Sequence, residues 1–123
     1  MNPTKKHQSL SFNINDYLTA NAEATKYEFP SFPVIGKQNV TFQLNYQEFD
    51  ASDAVLKLEQ SLDNTNFDDL LDCLGAPVVL VLDNTHSSAT INLAALNTAF
   101  LRATIIFNTV TEGNITSYSY LTL

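Results

Sequence analysis

Two histidines, His7 and His86, one cysteine, Cys73, and the carboxylates Asp63, Asp68, Asp69 and Asp72 are the side chains that could do chemistry in this chain. A zinc centre needs three or four converging nitrogen, sulfur or carboxylate ligands. His7 lies in a basic opening segment and His86 in a turn-rich one, so both read as solvated surface groups. Cys73 would need an open, electropositive setting to act as a nucleophile. Flanked by Leu70, Leu71 and Leu74, it reads as a buried, inert thiol. Paired carboxylates can serve as general acid and base. A glycosidase also wants aromatic sugar platforms and a deep cleft, and the chain has no Trp. Asp63-Asn64-Thr65-Asn66 alternates hard oxygen donors as calcium loops do, without the glycine and distal glutamate of the twelve-residue loop. An ordinary side-chain-bonded turn explains the same residues. The three glycines, Gly36, Gly75 and Gly113, stand too far apart for a phosphate-cradling loop. The sequence therefore assigns no catalytic residue, no metal site and no cofactor, and no enzyme is expected.

The elements that would carry any surface are strands. Val40, Phe42, Leu44 and Tyr46 alternate with Thr41, Gln43 and Asn45, the period-2 pattern of a strand with one buried and one wet face. Leu10, Phe12 and Ile14 repeat it, Tyr27 and Phe29 form a strand ended by Pro30, and Ala54, Leu56 and Leu58 alternate again before the Asp63–Asn66 turn. Val78–Leu82 predicts a central strand, and Ala89, Ile91 and Leu93 the next. Leu101, Ala103, Ile105 and Phe107 line one face of a long strand, and Glu112-Gly113-Asn114 reads as a hairpin turn into Ile115–Leu123. One short helical turn is expected near residues 66–75, where Phe67, Leu70, Leu71 and Leu74 fall at i, i+3, i+4 and i+7 before Gly75. Short strands between turn signals predict an all-β, antiparallel β-sandwich, Ig-like or jelly-roll-like.

Length, at 123 residues, fits one domain. The expected organisation is an N-terminal arm over residues 1–7 and a single sandwich over 8–123. Thirteen acids against six Lys and Arg give a net charge of −7, which repels polyanions and argues against nucleic acid as a partner. The longest apolar run, Val78–Leu82, is far below the roughly 20 residues that span a bilayer, so no membrane partner is expected. Gln8–Asp16 alternates polar and apolar where a signal peptide needs a continuous apolar block, so secretion by that route is not expected. A single cysteine cannot form an intrachain disulfide.

Surface remains as the working part. Phe100, Arg102, Thr104 and Ile106 share the face of their strand opposite Leu101, and two large apolar groups there call for cover by a loop, a second sheet or a partner. Thr116, Tyr118, Tyr120 and Thr122 share one face of the last strand, a composition suited either to adaptable contacts or to cross-strand pairing. Glu48–Asp83 holds nine of the thirteen acids and only Lys57 as a base, while Lys5 and Lys6 mark the start. A basic arm could reach a neighbour's acidic loops, a second copy included. Lys5, Lys6, Phe100, Arg102, Tyr118 and Tyr120 are the candidate assembly contacts.

Leu56-Lys57-Leu58-Glu59-Gln60-Ser61-Leu62-Asp63-Asn64-Thr65-Asn66-Phe67 resembles the strand, serine, turn and aromatic pattern of compact β-sandwich domains, and Phe100-Leu101-Arg102-Ala103-Thr104 resembles the later strand with a central arginine. Both patterns occur in discoidin-like sugar-binding sandwiches and in small virion proteins of tailed bacteriophages. Asn64 stands where the pattern has glycine, and the aromatic is Phe67. The short chain, its initial Met1, its few glycines and its basic start favour the virion. What that resemblance implies is an auxiliary or decoration protein, made in the host cytoplasm and bound in the virion to the major capsid protein or other virion proteins. The other resemblance implies a carbohydrate-binding module, with Tyr46, Tyr118 or Tyr120 stacking on a sugar.

Overall fold

The computed structural model describes residues 3–94 and 96–123. Strict alternation of apolar and polar side chains makes most of it strand, because each such segment must bury one face and wet the other. The strands are β1 (Thr4–Asn13), β2 (Lys26–Glu28), β3 (Phe32–Pro33), β4 (Asn39–Gln47), β5 (Ala54–Ser61), β6 (Asp68–Asp69), β7 (Val79–Leu82), β8 (Ser88–Ala94), β9 (Phe100–Ile106) and β10 (Asn114–Thr122), with one helix, α1 (Ile14–Ala20), after β1. They form two antiparallel sheets. One runs β1-β10-β4-β8; the other runs β2-β9-β5-β6, with β3 also on β9 and β7 also on β5.

Between the sheets, β4 contributes Val40, Phe42, Leu44 and Tyr46, β5 contributes Ala54, Leu56 and Leu58, and β9 contributes Leu101, Ala103 and Ile105, all buried. Each fully buried Leu, Ile or Phe is worth roughly 1.5–3 kcal/mol relative to exposure. From β7 onward the chain changes sheet at every connection, and the resulting order is the double Greek key of a jelly roll. The expected all-β antiparallel sandwich is what the chain forms.

Loop acids hold one end of the sandwich together. The Asp50 carboxylate accepts from the Thr111 hydroxyl at 2.7 Å and from the Thr111 and Glu112 N–H groups at 3.0 and 3.2 Å. Asp53 accepts from the N–H and hydroxyl of Thr109, and the Asn108 amide donates to the Asp53 carbonyl at 2.7 Å. The β4–β5 loop is thereby tied to the β9–β10 connection.

Several expected elements differ. The boundary placed after His7 falls inside β1, whose Thr4–Ser9 pair in register with Ser117–Thr122 of β10, so the described part of the arm is an edge strand; Met1 and Asn2 lie outside the described residues. Ile14 starts α1 instead of ending a strand, because the Asn13 side chain caps it by accepting the Asp16 N–H at 3.1 Å. The helical turn near 66–75 does not form. Asp72 accepts the N–H groups of Leu74 and Ala76 and, with Gly75 at φ +82°, folds that segment into a tight turn in which Leu70 alone of its leucines reaches the core. Val79–Leu82 is no central strand: among the described residues β7 pairs only with β5, which leaves Val79 and Val81 more than half exposed. Glu112–Asn114 makes no hairpin, since β9 and β10 belong to different sheets.

Gly113 is required where the chain crosses. Its φ is +141°, its carbonyl accepts the first helical N–H, from Ile14, at 2.7 Å, and a Cβ there would lie 3.1 Å from the Phe49 Cα. Gly113→Ala is expected to lower stability by about 2–4 kcal/mol through overpacking and backbone strain together. Gly75→Ala, with open space around its Cβ, costs only about 1 kcal/mol of strain. Urea midpoints with unchanged slopes measure both.

Candidate functional site

The pairing register sorts the β1-β10-β4-β8 sheet into rows. Facing away from the core are Lys5–Leu121–Thr41–Asn92, then His7–Ser119–Gln43–Thr90, then Ser9–Ser117–Asn45–Ser88. No acid occurs in these rows, on a chain of net charge −7. Neighbours hold each other across the strands. His7 Nδ1 lies 2.7 Å from Ser119 Oγ, Thr41 Oγ1 donates to Asn92 Oδ1 at 2.7 Å, and Asn45 Nδ2 donates to Ser117 Oγ at 2.8 Å. Short, cross-bonded side chains lose little rotamer freedom when covered, which suits a surface that docks against another.

The opposite outer face, on β5 and β9, is built differently. Arg102 Nη2 lies 2.7 Å from Glu28 and 3.1 Å from Glu59, its Nε donates to the same Glu59 oxygen at 3.2 Å, and its guanidinium lies 4.0 Å above the centre of the Phe67 ring. Thr104 also donates to Glu59, and Lys57 bridges Glu59 at 3.8 Å and Asp69 at 3.0 Å. Glu59 is only 6 % exposed, so these partners supply the contacts that water would otherwise give its carboxyl group. Beside the network, Val79 and Val81 stand in register with Lys57 and Val55 as an apolar strip.

The structure separates the six candidate contacts. Lys5 and Lys6 are exposed on edge strand β1, with Lys5 in the acid-free face. Phe100 and Arg102 share the outer face of β9 as expected, half-buried, with Arg102 held within the network above. Tyr118 and Tyr120 point the other way. A register shift between Ile115 and Ser117 turns both rings inward, where Tyr118 meets Phe29 at 5.1 Å and Tyr120 stacks on Phe32 at 3.9 Å. Burial pushes both phenols above their ordinary value of 10.0, so both stay neutral. Tyr46 is also buried, its hydroxyl donating to the Asp83 carbonyl at 2.9 Å.

The chemical candidates also resolve. Cys73 is exposed instead of buried, because the 66–75 segment turns outward with Leu71 and Leu74. His86 is exposed, with Nδ1 3.9 Å from Asp83 Oδ2. Asp63 spends its carboxylate on its own turn, accepting from the N–H groups of Thr65 and Asn66 at 2.9 Å each, the Asn66 amide at 2.8 Å and the Ser61 hydroxyl at 2.9 Å. Those bonds, the Asn66 N–H first, hold it far below the usual carboxylate range. The acid-free face itself was only partly legible: Thr41, Gln43 and Asn45 showed it on β4, whereas its continuation required the register of β8 and β10.

These features define a jelly-roll sandwich with one acid-free sheet face and one ion-paired face. No family model matches the chain and no curated protein matches it. Among solved structures it is similar to the SPBc2 prophage-derived protein YomS, with a TM-score of 0.57 and 10 % identity over 99 % of this chain and 95 % of that one. It is also similar to a chain from Bacillus endospore appendages, described as forming a novel family of disulfide-linked pili, with a TM-score of 0.54 and 10 % identity over 98 % and 86 %. The C-terminal CBM6 of LamC, a laminarinase from Zobellia galactanivorans, overlaps less, with a TM-score of 0.42 and 12 % identity over 77 % and 68 %. At these identities the first two establish a shared fold. No helix among the described residues is long and apolar enough to cross a membrane.

Removing Arg102 leaves the Glu59 carboxylate buried without its main partner. Arg102→Ala is expected to destabilise the fold by about 3 kcal/mol, and Arg102→Lys, which cannot make the planar two-nitrogen contact, to recover only part of it; chemical denaturation measures both. Asp50, Asp63 and Asp83 are all held below their ordinary value of 3.8, chiefly by hydrogen bonds from Thr111, Asn66 and Thr85 respectively. The stability they contribute is complete above that unfolded value and is lost as pH falls through the lower folded values. Thermal midpoints should therefore be level above about pH 5 and fall below about pH 4, with a shallower fall in Asp63→Asn.

Proposed function

We propose that this chain is a non-enzymatic assembly protein, an auxiliary or decoration protein of a phage virion that stabilises the capsid by docking on its major capsid protein. The observation that carries this is the acid-free outer face of the β1-β10-β4-β8 sheet. On a protein whose acids otherwise crowd its loops, that face is a broad surface a neighbour can cover without burying a carboxylate. Lys5 and His7 at its rim favour a neutral or acidic patch on the partner. The likeness to a prophage-derived protein over nearly the full length of both chains supports the same direction at the level of fold. The sugar reading rested on Tyr46, Tyr118 and Tyr120, whose rings are used inside the sandwich.

The test is co-sedimentation with purified heads of the phage whose genome carries the gene. The native chain is expected to pellet with heads and saturate at a fixed ratio to the capsid protein. Gln43→Glu with Ser88→Glu places two carboxylates on the docking face and should weaken binding at least tenfold at unchanged thermal midpoint. Val79→Ser with Val81→Ser, on the opposite face, should leave binding unchanged. A chain that stays in the supernatant at every ratio, or a face variant that pellets like the native one, overturns the reading. A glycan array with a specific hit would move the assignment to sugar binding.

A further inference from the structure

The two edges of the β1-β10-β4-β8 sheet are unlike, and they match each other. β8 is seven residues long, pairs with β4 without a register shift, and carries no charge, proline or bulge along Ser88–Ala94. Natural sheets guard such edges with lysines, prolines or distortions, because a bare row of N–H and C=O groups recruits another strand. β1, at the far edge, carries Lys5, Lys6 and His7.

We propose that the chain associates head to tail with a second copy of itself, β1 of one copy adding as an antiparallel strand beside β8 of the next. Three observations converge on this arrangement. The first is direction. All neighbours in the sheet are antiparallel, so across four strands β1 and β8 run oppositely, and a laterally displaced copy continues the alternation. The second is backbone parity. Tyr46 donates to the Ser87 carbonyl at 2.9 Å, which by the register commits Ala89, Ile91 and Leu93 to β4 and turns the backbone groups of Ser88, Thr90 and Asn92 to the open edge. The Leu123–Asn39 exchange of bonds, both at 3.0 Å, likewise commits Thr4, Lys6 and Gln8 to β10 and leaves those of Lys5, His7 and Ser9 at the other edge. Set in register, Asn92 meets Lys5, Thr90 meets His7 and Ser88 meets Ser9, all with side chains on the acid-free face, so that face continues unbroken from copy to copy.

The third is charge. Beside β8 a groove of about 490 Å³ is lined by Leu70, Leu71, Asp72 and Leu93. Lys6 shares the core-side row with Tyr120, Phe42 and Ile91, so in the added strand its side chain comes to the groove side, towards Asp72. A β1–β1 contact would set lysines against lysines and a β8–β8 contact would bring two Asp72 flanks together, whereas β8–β1 joins unlike charges.

Disulfide trapping tests the register, in a Cys73→Ser background. Lys5→Cys and Asn92→Cys in one chain are expected to give a ladder of oxidised oligomers, and neither substitution alone to give a dimer. Thr90→Pro removes an edge N–H that β4 does not use and should weaken self-association at least tenfold in sedimentation velocity, with the circular dichroism of the native chain. Dimers from Asn92→Cys alone or Lys5→Cys alone overturn the head-to-tail arrangement. So does a native chain that sediments as a monomer at the highest soluble concentration, or a Thr90→Pro chain that associates like the native one. Head binding by these chains is scored separately: monomers that still dock remove this inference and leave capsid docking intact, while ladders that bind no heads do the reverse.

Discussion

The aromatic contacts between the last strand and the segment before β4 set the rest of the molecule. Tyr118 packs against Phe29 and Phe42, and Tyr120 stacks on Phe32 with ring planes 9° apart. Phe29 and Phe32 are in turn held to β9, through the Phe29 N–H to the Ala103 carbonyl and through β3. The rings thus join one sheet to the other, and in doing so they choose which face of β10 looks inward. Because side chains alternate, Ser117, Ser119 and Leu121 must then look outward. Among the described residues β1 is paired to β10 alone, so it inherits the same choice, and Lys5, His7 and Ser9 join the outer rows. Had the opposite parity been taken, two tyrosines would stand in water and two serines in the core.

That dependence explains where the sequence was legible. β4, β5 and β9 could be read directly, because their apolar sets are large and their alternation unbroken. β10 could not be oriented: Thr116, Tyr118, Tyr120 and Thr122 form a plausible exposed face until the irregularity after Ile115 brings Ile115 and Tyr118 onto the same side. The leucines of 66–75 matched a helical period, but Asp68 and Asp69 pair with β5 as strand β6, Asp72 accepts the turn N–H groups of Leu74 and Ala76, and only Leu70 finds core to bury. The helix that does form had a legible start, Asn13 three residues before Asp16, with Ile14, Tyr17 and Leu18 at helical spacing. The strand pattern of Leu10, Phe12 and Ile14 ran over that start and masked it. The network of Glu28, Glu59 and Arg102 joins three strands far apart in sequence, and no local pattern announces it.

Charge in this chain is placed by backbone needs. Asp50, Asp53, Asp63, Asp72 and Asp83 each accept bonds from N–H groups of loops and turns, while the strand acids Glu28, Glu59 and Asp69 sit in the ion-paired network of the other sheet, so none lies in the rows of the acid-free face. A net charge of −7 opposes self-association, but the opposition is not uniform, because charges more than about 8–10 Å apart are largely screened at physiological salt. End-on approach brings the loop acids of two copies together at short range. Approach edge to edge within the plane of the acid-free sheet brings β1 lysines to the Asp72 flank and keeps the loop acids apart. The turns that close the sandwich therefore also decide the direction in which contact with another molecule costs least.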